Sequence, residues 1–231
     1  MLGMSIVKLV VFDIAGTIIE DHGEVIDAFC TALAANGMPV SAADLKEFKG
    51  ASKREVITRF VQLHWSNDPG NPERIDRTYA AFCLELEGKY ANGGVKPIAG
   101  AANTFAWLKA HDVFCATTTG FYRAVTDQIL GAAGWLDQFV ANVCSDEVRL
   151  GRPAPYMIFR AMEAAGVDDV KQVLNVGDTP LDIQAGHRAG MLGTIAVLTG
   201  VHTEARLRAE GPSHLIASVA ELPALIETRY F

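Results

Sequence analysis

Four short apolar runs rich in β-branched residues dominate the pattern of this chain, and each ends in Gly, Thr, Asp or other turn-forming residues. They are IVKLVVF (6–12), VFCATT (113–118), QVLNVG (172–177) and GTIAVL (193–198). The runs are nearly continuous in hydrophobicity rather than alternating. Such runs are typical of strands in a parallel sheet whose two faces are both covered by helices.

Segments with helical periodicity lie between these apolar runs. They are GAANTFAWLKAH (100–111), YRAVTDQILGAAG (122–134), APYMIFRAMEAAG (154–166) and DIQAGHRAGM (182–191). The alternation of strands and helices predicts an α/β fold built on a doubly wound, Rossmann-like parallel sheet.

Residues 20–91 interrupt this alternation, because they contain three helix-like stretches and no convincing strand. The stretches are residues 23–37, 41–65 and 71–90, and a Gly- and Pro-rich segment, ANGGVKPIAG (91–100), follows them. We read that segment as the linker that returns the chain to the sheet. The sequence therefore predicts an α/β catalytic core from residues 1–19 and 92–231, with an all-helical insert over residues 20–91.

The charge and cysteine content restrict the classes of partner. A formal net charge of −7 and a pI near 5.3 argue against nucleic acid or an anionic membrane, although local cations can still hold a small anionic substrate. The four cysteines are scattered without a CxxC pair. We expect them to be reduced thiols. No apolar run has the length of a membrane span and no signal-peptide pattern is present, so we predict a cytoplasmic protein.

Polar residues follow the predicted strands where those strands end. They are Asp13, then Thr117, Thr118 and Thr119 before Gly120, then Arg152 in LGRPAPY, and finally Asp178 and Asp182 in VGDTPLD. Ligands of parallel α/β sheets bind beyond the carboxyl ends of the strands. Taken singly, each residue can be explained as a helix cap or a turn. Their order along the chain favours a common site.

The chemistry of such a site is coherent. Carboxylates that converge at one edge of a sheet repel each other unless a cation joins them, and hard oxygen ligands suit Mg²⁺. A hydroxyl and a guanidinium beside them would complete a site for phosphate. An aspartate without a capping role can then attack phosphorus and form an aspartyl-phosphate.

This set of residues resembles the haloacid dehalogenase superfamily. The first motif corresponds to Asp13-Ile14-Ala15-Gly16-Thr17, the second to Thr119, the third to Arg152 and the fourth to Gly177-Asp178-Thr179 with Asp182. The insert after the first motif resembles the smaller cap type of that superfamily, and residues 20–91 are called the cap below.

The resemblance implies a role for each motif residue. Asp13 would be the nucleophile. Mg²⁺ would be held by Asp13, the carbonyl of Ala15 and Asp178, with support from Asp182. Thr119 and Arg152 would hold the transferring phosphoryl group. The substrate-binding residues would be Ala15, Gly16, Thr17, Gly50, Gly120 and Phe121.

Two departures from the usual phosphatase pattern narrow the chemistry. Ala15 stands where most phosphatases of the superfamily carry an aspartate that protonates the leaving oxygen, and Arg152 stands where lysine is usual. Both are similar to the phosphonoacetaldehyde hydrolase (phosphonatase) branch, which breaks a C–P bond and uses a cap lysine as a Schiff base.

Lys53, in FKGASKREV, has the spacing and the Gly50-x-x-Lys53 pattern of that branch. Gly50 is expected to end one helix and Ser52 or Ala51 to begin the next. Lys53 would then lie near a helix N-terminus, where the helix dipole disfavours its positive charge and lowers its pKa. A lower pKa leaves more free amine to attack a carbonyl.

Three positions differ from the phosphonatase pattern. Val56 replaces a histidine that assists proton transfer, Lys49 replaces a methionine, and Phe121 replaces a tyrosine. The base for imine formation would therefore be water, Lys49 or another residue. The resemblance also implies a homodimer that pairs through the cap.

Three functions fit these observations. The first is a Mg²⁺-dependent, phosphonatase-like hydrolase of a small phosphonate such as phosphonoacetaldehyde, with an aspartyl-phosphate at Asp13 and a Schiff base at Lys53. The second is a phosphomonoester phosphatase acting on a small metabolite whose leaving group tolerates Ala15. The third is a non-catalytic sensor of phosphorylated metabolites, against which the retained Asp13, Asp178 and Asp182 argue.

Overall fold

The core of the molecule is a six-stranded sheet in the order β3-β2-β1-β4-β5-β6, in which every neighbouring pair is parallel. The computed structural model describes residues 6–230. The strands are β1 (Leu9–Phe12), β2 (Phe114–Thr119), β3 (Ala141–Cys144), β4 (Val173–Gly177), β5 (Gly193–Val197) and β6 (His214–Ile216). The predicted α/β fold with a doubly wound parallel sheet is confirmed.

The sequence did not predict the two edge strands, β3 and β6. Their sequences, ANVC and HLI, cover four and three residues. Stretches this short carry no readable periodicity, and edge strands are often short and less apolar than central ones.

Strand β1 lies at the centre of the sheet and all four of its residues are fully buried. Its side chains alternate between two apolar layers, as the pleat of a strand requires. Val10 and Phe12 pack into one layer, where the ring of Phe12 meets that of Phe105 edge-on with centroids 5.4 Å apart. Leu9 and Val11 pack into the other layer. Burial on both faces explains why β1 reads as a continuous apolar run.

Helices of the core cover both faces and connect the strands. They are α5 (Ala101–Ala110), α6 (Arg123–Ala132), α7 (Tyr156–Ala165), α8 (Pro180–Ala189), α9 (Glu204–Arg208) and α10 (Leu222–Arg229). The four helices predicted within the core correspond to α5 to α8. None of the helices in residues 6–230 has both the length and the apolar character needed to cross a membrane.

Between β1 and α5, all the regular elements described are helical. They are α1 (Glu24–Ala35), α2 (Ala42–Leu45), a 3-10 turn (Lys46–Phe48), α3 (Lys53–His64) and α4 (Asn71–Gly93). Helices α1 and α4 pack together, with the rings of Phe29 and Phe82 stacked at 4.3 Å. Helix α4 continues to Gly93, so the linker begins later than predicted. The division into core and cap stays a prediction, and residues 1–5 and 231 of the predicted core lie outside the described residues.

The register of the sheet determines where the candidate residues lie. Phe12 of β1 pairs with Thr117 of β2 on one side and with Val176 of β4 on the other. The carboxyl ends of these three strands are therefore adjacent. The residues that follow them converge at one edge of the sheet.

Candidate active site

Three buried aspartates meet at the carboxyl edge of the sheet. Asp13 directly follows β1, Asp178 directly follows β4, and Asp182 lies in the first turn of α8. One carboxylate oxygen from each lies within 4.8 Å of the other two. The convergence expected from the sequence is therefore present in the fold.

Asp182 has two roles, one for each of its carboxylate oxygens. Its Oδ2 accepts hydrogen bonds from the backbone N–H of Thr179 at 3.0 Å and the Thr179 hydroxyl at 2.6 Å, which forms a capping box at the start of α8. Its Oδ1 lies 2.8 Å from Nη1 of Arg152. Asp182 therefore both caps α8 and belongs to the cluster of charged residues at the edge of the sheet.

Arg152 is the cation that the structure places among these carboxylates. Its buried Nη1 lies 2.7 Å from Oδ1 of Asp13, and its Nη2 donates to the hydroxyl of Thr118 at 2.8 Å. A planar guanidinium can bridge several oxygens in this way because its donors have fixed directions.

Among residues 6–230, no cationic side chain is in direct contact with Asp178. Burial first, and then the neighbouring charges of Asp13 and Asp182, raise the pKa of Asp178 well above its usual value. Burial likewise raises the pKa of Asp182 to about 6, although Arg152 opposes this. The three carboxylates therefore form a site that repels further negative charge unless a cation enters.

Two glycines allow the backbone to approach Asp178 closely. A Cβ atom at Gly16 would lie 2.4 Å from Oδ2 of Asp178, and one at Gly200 would lie 1.8 Å from the same oxygen. The hydroxyl of Thr17 donates to Oδ1 of Asp178 at 3.1 Å, and the hydroxyl of Thr199 donates to the carbonyl of Gly16 at 2.6 Å. Gly200 was not predicted, although its position just after the apolar strand β5 was an available signal.

A small cavity of about 30 Å³ lies over Asp13, and residues from both the core and the cap line it. The lining residues are Asp13, Ala15, Asp21, Val25, Lys49, Gly50, Lys53, Thr119, Gly120, Phe121, Asp178 and Thr179. Four predicted site residues are not among them, namely Gly16, Thr17, Arg152 and Asp182. Arg152 contacts both Asp13 and Asp182, the hydroxyl of Thr17 donates to Asp178, and Gly16 follows Ala15 in the sequence. Of the lining residues, the sequence had not singled out Asp21 and Val25, whereas Thr179 belongs to the fourth motif.

Lys53 is the first residue of α3 and is buried, with 5% of its surface exposed. Its Nζ donates to the carbonyl of Ala51 at 3.2 Å and lies 5.0 Å from the ring centroid of Phe121. Burial lowers the pKa of Lys53 to about 8. The charge of Asp13 raises this pKa by a smaller amount, and the charge of Arg152 lowers it further. The predicted position at a helix start is correct, but burial is the main cause of the lower pKa, whereas the sequence suggested the helix dipole.

The loop before Lys53 is held against the core by two glycines. Gly50 has φ +81°, and a Cβ there would lie 2.7 Å from the hydroxyl oxygen of Thr179. A Cβ at Gly120 would lie 2.3 Å from the carbonyl oxygen of Ala51. Larger residues at either position would push Lys53 away from Asp13.

Thr119 is the one threonine of the TTTG run that lines the cavity. Its hydroxyl accepts a hydrogen bond from the backbone N–H of Phe121 at 3.1 Å, which orders the turn after β2. The hydroxyl of Thr117 instead donates to Asn142, and that of Thr118 accepts from Arg152. The structure thus separates three adjacent threonines into three different environments.

Comparison with known proteins agrees with this geometry. The family model of haloacid dehalogenase-like hydrolases matches residues 7–190. The chain belongs to this family.

Individual relatives and solved structures are similar to this chain over most of its length. The phosphonoacetaldehyde hydrolase of Hahella chejuensis is 30% identical, with 96% of this chain and 86% of that protein covered. The crystal structure of a phosphonoacetaldehyde hydrolase-like protein from Oleispira antarctica superposes with a TM-score of 0.82 at 24% identity, covering 99% of this chain and 94% of that one. A hydrolase from Pseudomonas syringae superposes with a TM-score of 0.85 at 18% identity, covering 97% and 100%.

This haloacid dehalogenase-like hydrolase has an ion pair in its cavity that the sequence did not reveal. The ammonium of Lys49 contacts the carboxylate of Asp21, and both side chains are buried. Val56, at the position of the branch's histidine, is buried inside the cap. The only acid–base groups on the cap side of the cavity are therefore Lys49, Asp21 and Lys53, among the residues that the structure describes.

Proposed function

We propose that this protein is a Mg²⁺-dependent, phosphonatase-like hydrolase that cleaves the C–P bond of a small phosphonate such as phosphonoacetaldehyde. The observation that carries the proposal is the position of Lys53. Its buried amine lines the same cavity as Asp13 and Ala15, and its hydrogen bond goes to a backbone carbonyl rather than to a carboxylate. This amine loses its proton easily and lies close to the proposed nucleophile, Asp13. Ala15 supplies no general acid, and imine chemistry needs none at that position.

The donor set supports Mg²⁺ as the cofactor. Asp13, Asp178 and Asp182 offer hard oxygen ligands, and their mutual repulsion is only partly relieved by Arg152. Asp13 and Asp178, with the carbonyl of Ala15, would hold the ion and Asp182 would support it. When bound, Mg²⁺ supplies positive charge that neutralises the carboxylates and polarises the phosphoryl oxygens.

The first chemical step belongs to Lys53. With a pKa of about 8, about a tenth of Lys53 is neutral amine at pH 7. This amine attacks the aldehyde carbon, and loss of water gives a protonated imine. The imine accepts electrons from the neighbouring carbon.

The second step belongs to Asp13, whose carboxylate attacks phosphorus. The electron pair of the C–P bond moves into the carbon chain and forms an enamine on Lys53. No oxygen leaves in this step, so no acid is needed at Ala15. Thr119 and Arg152 bind the phosphoryl group, and water then hydrolyses the acyl phosphate of Asp13.

A borohydride trap tests the proposal. Wild type and Lys53→Arg are incubated with phosphonoacetaldehyde and borohydride, and the adduct is located by peptide mass. Lys46→Arg is the matched control because Lys46 is exposed and lies in the same segment. We expect an adduct at Lys53 in wild type and in the control, with phosphate and acetaldehyde released when borohydride is omitted.

Other outcomes of this experiment distinguish the alternatives. Absence of both adduct and phosphate in wild type would overturn the proposal. Phosphate release from simple phosphate esters, undiminished in Lys53→Arg, would instead identify a phosphomonoester phosphatase. Tight binding of phosphorylated metabolites without turnover in Mg²⁺ would identify a sensor.

We also propose, from the resemblance, a homodimer formed through the cap. Leu63 of α3 and Leu84 of α4 are 70% and 74% exposed, so each can contribute apolar surface to such a contact. Sedimentation of wild type and of a Leu63→Glu, Leu84→Glu double variant tests this, with a monomeric wild type contradicting it.

A further inference from the structure

Two buried lysines line the cavity, and they differ in their partners. The Lys49 ammonium is paired with the carboxylate of Asp21, and the two side chains are only 6% and 5% exposed. Lys53 instead donates to the carbonyl of Ala51. The two lysines therefore have different surroundings, because a carboxylate faces Lys49 whereas a backbone carbonyl accepts from Lys53.

A buried ion pair is weak support for stability, because desolvation of both charges offsets their attraction. An apolar pair would fill the same space at less cost. The position of Lys49 and Asp21 on the wall of the cavity, next to Lys53, therefore suggests a chemical role rather than a structural one.

We propose that Lys49 is the proton donor and acceptor for the steps that occur at Lys53, and that Asp21 is the positioning residue that holds Lys49. This inference rests on the proposed function. It assigns the proton transfers that the chemistry of an imine requires to Lys49, which with its partner Asp21 carries the acid–base groups on the cap side of the cavity other than Lys53, among the described residues.

The proton transfers balance as follows. The Lys53 amine forms a C–N bond with the aldehyde carbon, and the carbonyl oxygen takes a proton from Lys49. The Lys53 nitrogen, now bonded to carbon, gives a proton to Lys49. Lys49 passes this proton to the new hydroxyl, and the C–O bond then breaks with loss of water. Lys49, left neutral when water leaves, takes up one proton from solvent. After the C–P electrons have formed the enamine, the terminal carbon takes that proton from Lys49, and the water that adds to the resulting imine returns a proton to Lys49. Addition of water and loss of the Lys53 amine release the aldehyde.

Other nearby groups are poorly suited to this role. Val56 and Phe121 carry no transferable proton. Asp13 is the nucleophile, and Asp178 lies with it in the carboxylate cluster. The carboxylate of Glu55 accepts from the backbone N–H of Gly151 at 2.8 Å and is not a lining residue of the cavity.

The test separates proton transfer from ion pairing with two variants. Lys49→Arg keeps the charge and the partner of Asp21 but cannot release a proton at neutral pH. Lys49→Met has a side chain of similar length but removes both the positive charge and the transferable proton. The readout is the rate at which phosphonoacetaldehyde forms a borohydride-trapped adduct on Lys53, with the exposed Lys46→Arg as control.

We expect both variants to slow adduct formation by about 100-fold or more, as for loss of a general acid. Lys49→Arg should bind inorganic phosphate with wild-type affinity and should keep the wild-type unfolding temperature. Methylammonium added to Lys49→Ala should restore part of the rate. In D₂O, protonation of the enamine carbon should become slower still in Lys49→Arg. Phosphate should then be released in a burst that precedes the release of acetaldehyde.

A purely structural role gives the opposite pattern, in which Lys49→Arg is active and only Lys49→Met is slow. Wild-type adduct formation by Lys49→Arg would overturn the inference while leaving the proposed function intact. If wild type itself forms no adduct at Lys53, the proposed function and this inference both fail. Should Lys49→Arg not fold, Asp21→Asn takes its place. This variant must form the adduct more slowly than wild type, although borohydride still traps an adduct on Lys53. An unchanged rate of adduct formation overturns the inference.

Discussion

The carboxylate of Glu55, in the first turn of α3, accepts a hydrogen bond of 2.8 Å from the backbone N–H of Gly151, the residue before Arg152. A Cβ at Gly151 would lie 3.0 Å from the Cβ of Ser52. The helix that begins with Lys53 is thereby attached to the loop that carries Arg152. Because the cavity measures only about 30 Å³, we expect this attachment to open when a substrate enters.

Glu55→Ala should weaken the closed arrangement of cap and core. A hydrogen bond to a charged acceptor contributes about 1.5–3 kcal/mol, so we expect kcat/KM for phosphonoacetaldehyde to fall about 10- to 100-fold. Steady-state kinetics measure the effect. Glu163→Ala is a suitable control because Glu163 is exposed on α7. Equal kinetics for Glu55→Ala and the control would show that this contact does not govern closure.

The central strands could be predicted from sequence because burial on both faces forces an apolar run. β1, β2, β4 and β5 all have this property, whereas ANVC of β3 and HLI of β6 are too short to show it. The residues after the predicted strands could be placed at one edge for the same reason, since parallel strands bring their carboxyl ends together.

Side-chain contacts between loops that are distant in sequence could not be predicted. Asp21 and Lys49 come from separate loops, and nothing in either segment indicates that the two charges meet. The lowered pKa of Lys53 has the same origin, because its burial depends on the packing of Gly50 and Ala51 against Gly120. A helix dipole is visible in a sequence, but burial by a distant segment is not.

Replacing Lys53 by methionine should stabilise the protein at neutral pH. Burial lowers the pKa of Lys53 from 10.5 to about 8, with Asp13 and Asp21 raising it and Arg152 and Lys49 lowering it further. The unfolded chain therefore binds more protons than the folded protein between these values, and wild-type stability rises with pH through that window. The shift from 10.5 to about 8 corresponds to about 3 kcal/mol of unfolding free energy. Wild type is destabilised by this full amount relative to Lys53→Met below pH 8.

Urea unfolding of wild type and Lys53→Met at pH 7, 9 and 10 measures this difference. The advantage of Lys53→Met should be largest at pH 7 and should narrow steadily towards pH 10. Lys46→Met serves as control because Lys46 is exposed. A difference that does not change with pH would contradict the depressed pKa.

Asp178→Asn should separate charge repulsion from metal binding. In chelator, the variant should unfold at a higher temperature than wild type, because it removes one of three buried, mutually repelling carboxylates. Mg²⁺ should raise the unfolding temperature of wild type and leave that of the variant unchanged. At 100 times its dissociation constant, the ion should contribute about 2.7 kcal/mol to wild type.

The matched control is Asp168→Asn, since Asp168 is exposed and is not a member of the cluster. It should respond to Mg²⁺ as wild type does. If Mg²⁺ stabilises Asp178→Asn as strongly as wild type, Asp178 is not a ligand and the metal site must be sought elsewhere.

Gly200→Ala should disable the site through a single methyl group. The added Cβ would lie 1.8 Å from Oδ2 and 2.6 Å from Cβ of Asp178, so either the loop after β5 or the carboxylate has to move. Displacement of a catalytic group by about 1 Å can reduce the rate about 100-fold, and we expect at least that loss in phosphate release together with a weaker thermal response to Mg²⁺.

Gly88→Ala makes the same chemical change inside α4, where a Cβ meets nothing within 4 Å. It should leave phosphate release unchanged and stabilise the helix by about 0.5–1 kcal/mol. Phosphate release by Gly200→Ala at the Gly88→Ala rate would mean that Asp178 tolerates the shift. The close packing of Gly200 against it would then have no bearing on catalysis.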